Sequence, residues 1–172
     1  VVVRDPVTRQ RLAELNEPAV RRYVAQIKAG QSPWNPLEAP APSPEEIAAT
    51  EVPEAFTRPV LTAAAVLVFC VDLGVVAAMD QDLDRIGLVA GASVYPLVWN
   101  VLLAARNEGF GGTITTMAVA EEPAVRDLLG IPAQYAVAAV VPLGRPVREI
   151  TKLRRVEVSD LAAWERFDGA RL

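Results

Sequence analysis

The side chains best suited to chemistry gather near the carboxy-terminal end, where Arg145, Arg148, Lys152, Arg154 and Arg155 stand in RPVREITKLRR, five basic residues against one acidic. Planar guanidinium forks bind phosphate oxygens in pairs and a lysine adds a point charge, so Lys-x-Arg in an extended segment can close two charges over one phosphate. A solvated basic tail is the plain alternative. A second candidate is the glycine-rich turn Gly109-Phe110-Gly111-Gly112-Thr113-Ile114-Thr115-Thr116. It follows a helical pattern and carries no lysine, so it fits neither a dinucleotide fingerprint nor a P-loop. Its glycines leave backbone N–H groups unshielded, which suits close approach to a flat ligand, and also suits a helix C-cap and connector. Asp80, Asp82 and Asp84 alternate as in a calcium loop, but the sixth position is Arg85 and the twelfth Gly91, so a negatively charged helix N-terminus is expected there. Cys70, inside an apolar run with no histidine to activate it, reads as inert packing.

Composition narrows the possible chemistry. The chain has 172 residues with 17 Lys+Arg, 21 Asp+Glu, one Cys and no His, and a formal net charge of -4. Without histidine there is no Ser/His/Asp or Cys/His catalysis and no histidine-ligated zinc; one cysteine excludes a disulfide framework and an all-thiolate metal site. An acidic chain is a poor general nucleic-acid binder, and no nucleic-acid partner is expected. Any catalysis must lean on a cofactor. The longest apolar stretch, Val60 to Val71, is too short to cross a bilayer, so no membrane partner is expected either.

The elements that must position these groups follow from spacing. Val1 to Arg4 reads as a strand entered on its first residue, which suggests that an amino-terminal section precedes it in the natural protein. Asp5-Pro6 starts a helix whose apolar face is Leu12, Leu15, Ala19, Tyr23 and Ile27, divided in two by Pro18 and ended by Gly30. Residues 31–59 form a long excursion; between Pro33 and Pro59 lie seven of the fourteen prolines, with a capping box at Ser43-Pro44-Glu45-Glu46. Excursions of this length are commonly lids, and Trp34 and Leu37 are expected to pack against something. Ala64 to Val71 is an apolar, β-branched run without alternation, expected as a central strand. A buried helix is expected from Asp82 to Gly109, broken or kinked at Pro96. Glu122-Pro123 opens a further helix that Gly130 closes, Ala136 to Leu143 is a second central strand, and a last short helix is expected near Ser159 to Phe167.

The order of these phrases resembles the nitroreductase family of FMN-dependent oxidoreductases. The likeness rests on Asn100-Val101-Leu102-Leu103-Ala104-Ala105 leading to Gly109-Phe110-Gly111, then Leu129-Gly130-Ile131-Pro132, then Leu143-Gly144-Arg145-Pro146 and the basic segment. It implies an α+β nitroreductase-like fold with a mixed, mainly antiparallel central sheet flanked by helices, a single domain over 1–172, and an intertwined homodimer. It implies FMN as cofactor with NADH or NADPH as electron donor. Lys152 and Arg154, with Arg155 as a substitute for either, would hold the FMN phosphate; Gly112, Thr113, Ile114, Thr115 and Thr116 would lie along the flavin ring. No side chain is implied as catalytic, because the flavin carries the chemistry. A nitroaromatic, quinone or similar flat acceptor would then be reduced in a ping-pong cycle, with 31–59 as the lid, and a cytoplasmic location is expected. The family's amino-terminal Arg-Ser-x-Arg-like phosphate motif is not found. Two alternatives stand beside this reading: other redox chemistry on the same fold (dehydrogenation, dehalogenation or a deazaflavin donor), and a non-catalytic flavin-binding or dimerisation module.

Overall fold

The computed structural model describes residues 1–148 and 150–172; Glu149, the acidic residue of the basic run, lies outside them. Four strands, β1 (Val2–Val3), β2 (Ala65–Asp72), β3 (Gly111–Gly112) and β4 (Tyr135–Gly144), form one sheet in the order β1-β2-β4-β3. Every pairing is antiparallel. Helices α1 (Pro6–Lys28), α2 (Pro44–Ala48), α3 (Glu54–Thr62), α4 (Tyr95–Asn107), α5 (Glu122–Leu129) and α6 (Val158–Leu161) flank it.

The two apolar runs become β2 and β4, and their residues divide between two cores. Val66, Val68, Val137 and Val140 pack with Leu12, Ala13, Val60 and Val125 under α1, α3 and α5. Ala139 and Val141 pack with Val94 and Val98, flanked by Leu67, Phe69 and Leu102, under α4. A register shift between Phe69 and Cys70 leaves Ala138 of β4 without an opposite residue. That bulge keeps Val137 and Val140, three apart, on one face. The Tyr95 hydroxyl at the start of α4 donates to the Ala138 carbonyl at 3.2 Å, so the irregularity also docks the helix.

Several termini follow the sequence closely. The Asp5 carboxylate accepts from the Thr8 N–H at 2.7 Å with Pro6 beginning the helix, Ser43 and Glu46 complete a reciprocal capping box, and Gly130 ends α5 at φ 64°.

Other expectations are corrected. Pro18 does not divide α1, which continues from Pro6 to Lys28. A proline removes one i→i−4 bond, but Leu12, Ala13 and Asn16 before it and Ala19 and Val20 after it are all buried, and packing on both sides holds the helix together. The helix expected from Asp82 begins only at Tyr95, preceded by a 3-10 turn at Val89–Ser93. Pro96 then falls in the first turn, where its missing N–H costs nothing, and no kink results. The helix is also far less buried than expected: Val98 is its one fully buried residue, and Trp99 stays 54% exposed. The last helix covers only Val158–Leu161, because Ala162 turns extended and Trp164 N–H bonds to the Ala170 carbonyl at 2.8 Å around a tight return.

Asp80 explains why residues 82–88 are not helical. Its carboxylate, 4% exposed, accepts from Arg85 at 2.8 Å, from the Leu88 N–H at 2.6 Å and from the Val89 N–H at 3.3 Å. It is a clamp on the loop before α4 and not a charge at the start of a long helix. Those bonds, the Leu88 amide first and Arg85 second, lower its pKa from 3.8 to about 2. A carboxylate depressed on folding contributes stability above its unfolded pKa and loses it as pH falls through the folded one. The Leu88 and Val89 amide resonances are therefore expected to hold steady down to pH 3.8 and move as pH falls toward about 2. A transition centred at 3.8 would remove the clamp from the account.

The segment Val89–Asn107, 19 residues, is apolar and long enough by composition to cross a membrane, which corrects the reading of Val60 to Val71 as the limiting stretch. Its α-helical part is the 13 residues of α4, a rise of about 20 Å against roughly 30 Å of hydrocarbon.

Candidate functional site

A cleft of about 840 Å³ opens where the end of α3, the end of α4, β3 and the end of β4 meet. That is the size of a small-molecule site. Its apolar wall includes Leu102, Phe110, Leu143 and Pro146, and its backbone edge is Gly111, Gly112 and Thr113. Its charges are Arg58, Arg106, Arg145 and Arg148.

The local structure explains why the glycine turn sits at this edge. Helix α4 ends with the Gly109 N–H on the Arg106 carbonyl at 3.1 Å and Gly109 at φ 78°, a conformation that favours glycine. The chain then pairs Gly111 with Gly144 and Gly112 with Leu143. A Cβ on Gly112 would lie 2.5 Å from Leu143 Cδ2, 2.8 Å from Leu102 Cδ2 and 3.1 Å from the Pro142 carbonyl oxygen. The leucine tips can rotate away, but the carbonyl belongs to the sheet. Gly112→Ala is therefore expected to destabilise the fold by about 1–3 kcal/mol, read as a lower denaturant midpoint at unchanged m-value. An unshifted midpoint would mean that the strand edge is looser than described.

The structure brings together only part of the expected site. Gly112 and Thr113 line the cleft. Ile114 turns inward and packs against the core under α4. Thr115 forms a two-way backbone bridge to Val140, its N–H donating at 2.9 Å and its carbonyl accepting at 2.8 Å, so it has no backbone donor left for a ligand. Its hydroxyl accepts from the Met117 N–H at 3.3 Å, and Thr116 leads into the 3-10 turn Met117–Glu121. Lys152, Arg154 and Arg155 are exposed on an irregular segment that leaves the cleft just after Ile150, a lining residue. Arg145 and Arg148, from the same basic run, are at the cleft itself.

Sequence reasoning missed Arg58 and Arg106. Each is the lone cation of its helix, Arg106 in the last turn of α4, where a cation reads first as a partner of the helix dipole. Only the folded cleft, lined from both α3 and the end of α4, brings them to the same surface as Arg145.

The excursion 31–59 divides in two. Its first part is fastened to α1: buried Gln26 donates to Gln31 at 3.1 Å and accepts from the Trp34 N–H at 3.2 Å, while the Trp34 ring lies 4.8 Å from the Arg22 guanidinium. Leu37, expected to pack, is 90% exposed. Only α3, carrying Ala55, Arg58, Pro59 and Thr62, reaches the cleft. Cys70 is half-buried beside the bulge, and burial pushes its thiol up, which keeps it protonated and unreactive. Among the described residues no group of acidic or cysteine side chains could hold a metal ion.

Comparison with known proteins follows the same outline. No curated protein matches the chain. The solved NADPH:FMN oxidoreductase of Vibrio harveyi, complexed with NAD+, superposes with a TM-score of 0.61 at 21% identity, over 99% of this chain and 60% of that one. Nitroreductase A of Vibrio parahaemolyticus superposes with a TM-score of 0.61 at 21% identity, over 99% and 58%. An iodotyrosine deiodinase bound to FMN and 3-iodo-L-tyrosine superposes with a TM-score of 0.60 at 16% identity, over 97% and 75%. The chain thus spans less than two thirds of the length of the two Vibrio proteins. At these identities the likeness is one of fold. The sequence model of the nitroreductase family matches residues 1–145, which include the strands, the helix that ends at the glycine turn and the first residue of the basic run. The chain belongs to the nitroreductase family.

Proposed function

We propose that this chain forms a homodimer that binds FMN and uses NADH or NADPH to reduce a flat acceptor such as a nitroaromatic or a quinone. The observation that carries the reading is the meeting, at one cleft, of an apolar wall, the glycine edge at Gly111 to Thr113 and a basic run that leaves directly from it. This donor set fits a phosphorylated flavin: backbone groups and apolar side chains suit a planar ring, and guanidinium and ammonium groups suit a phosphate.

Gly112 and Thr113 would set the position of the ring edge. Lys152 and Arg154, with Arg155 in reserve, would bind the phosphate; all three are exposed and follow directly on the cleft-lining residue Ile150. With Thr115 committed to Val140, that residue would contribute no backbone donor to the ring. Phe110 and Leu143 would exclude water from the reacting face. A bound FMN supplies the hydride and electron transfer, which is why a chain without histidine can serve. The donor would leave before the acceptor enters the same cleft, a ping-pong order, and α3 forms the nearest part of a lid. The dimer reading is supported by the exposed apolar stripe Tyr95, Trp99 and Leu103 on α4, one residue in four along a single helix face.

The order of events is tested by initial rates at varied NADPH and menadione with FMN-loaded protein. Parallel double-reciprocal lines are expected; intersecting lines would require both substrates to be bound at once.

A further inference from the structure

Arg58, Arg106, Arg145 and Arg148 reach the cleft from three separate parts of the chain: α3, the last turn of α4 and the segment after β4. No Asp or Glu is among the described residues that line it. Among the described residues none of the four guanidiniums forms an ion pair, whereas Arg11, Arg21, Arg85, Arg126 and Arg166 all do. In a chain of net charge -4, four arginines lining one concave surface, none of them ion-paired among the described residues, focus a positive potential there. The wall between them is apolar, with Phe110 43% exposed. The residues assigned to the flavin phosphate, Lys152, Arg154 and Arg155, are not part of this lining.

We infer that the cleft holds a second anion subsite, built on Arg58 and Arg106 with Arg145 and Arg148, for a ligand that joins a flat apolar body to an oxyanion, an aryl phosphate or aryl carboxylate distinct from the flavin. The guanidiniums of Arg58 and Arg106 take the oxyanion with Arg145 and Arg148 beside them, and Leu102 and Pro146 of the same lining lie against the ring. The subsite does not depend on the flavin reading, since it consists of this chain's own side chains.

The test is calorimetric titration of the full chain with phenyl phosphate, with benzoate as the carboxylate arm and phenol as the neutral control. Phenyl phosphate is expected to bind at least about tenfold more tightly than phenol, and the binding is expected to weaken as salt is raised. In Arg58→Ala/Arg106→Ala the preference for the anion is expected to fall by about tenfold or more, while FMN affinity stays unchanged. Both replaced side chains are exposed, so circular dichroism should report an intact fold. Benzoate binding like phenyl phosphate assigns the subsite to oxyanions in general, and benzoate binding like phenol narrows it to phosphate. Equal affinity for phenyl phosphate and phenol in the unaltered chain, or salt-independent binding, overturns the proposal. A parallel loss of FMN affinity in the double variant also overturns it, because these arginines would then serve the flavin's own phosphate. A chain that binds no FMN but still prefers phenyl phosphate would count against the proposed flavin function and leave the subsite standing.

Discussion

Replacing Lys152 and Arg154 together with Ala is expected to weaken FMN binding by at least about a hundredfold, measured as quenching of flavin fluorescence on titration with protein. A hydrogen bond to a charged group contributes about 1.5–3 kcal/mol, and the lower figure applies here because both side chains are exposed in the single chain. Two such bonds give roughly 3 kcal/mol, which is about a hundredfold in affinity. The affinity of riboflavin, which lacks the phosphate, should be nearly unaffected by the same change. An equal loss for riboflavin would mean that the two side chains support the fold or the ring and not the phosphate.

The second large effect concerns assembly. Trp99→Asp/Leu103→Asp is expected to convert a dimer to a monomer in sedimentation velocity and to abolish FMN retention with it. Trp99 is 54% and Leu103 53% exposed, on the same face of α4 as Tyr95 at 43%. Fully burying a large apolar side chain contributes about 1.5–3 kcal/mol, about half of which is left to gain at these half-exposed positions, and a two-fold interface uses each twice, so the pair accounts for roughly 3–6 kcal/mol before the cost of placing charges there. Few homodimers survive such a loss. A variant that stays dimeric would move the interface away from α4; an unaltered chain that sediments as a monomer would remove it altogether.

The parts of the fold legible in the sequence are those set by local chemistry. Asp5-Pro6, the Ser43 capping box and the Gly130 terminus are hydrogen-bond devices that each join groups three or four residues apart, and each forms where expected. The apolar runs of β2 and β4 are equally local. The misread parts depend on distant groups. Pro18 reads as a break until α3 and the Met117–Glu121 turn pack along α1 and hold it continuous. The start of α4 is hidden because Asp80 reaches eight and nine residues ahead to bind Leu88 and Val89.

The site divides in the same way. The glycine turn and the basic run were visible as local anomalies of composition, and Gly112 and Thr113 do line the cleft. Thr115 differs because its partner, Val140, is 25 residues away and on another strand. Arg58 and Arg106 are site residues only because α3 and α4 line one cleft, and periodicity describes each helix by itself. The exposed stripe on α4 was read as buried because apolar composition reports the wish to be covered and not which chain does the covering.

The most direct measurement is the flavin spectrum of the purified full chain after incubation with FMN and removal of unbound flavin, followed under anaerobic conditions as NADPH or NADH is added. A yellow protein with one FMN per chain is expected, its visible absorbance bleaching on addition of the donor and returning when a quinone is supplied. A protein that retains no flavin, or that retains it and is bleached by neither nicotinamide, would contradict the proposed function.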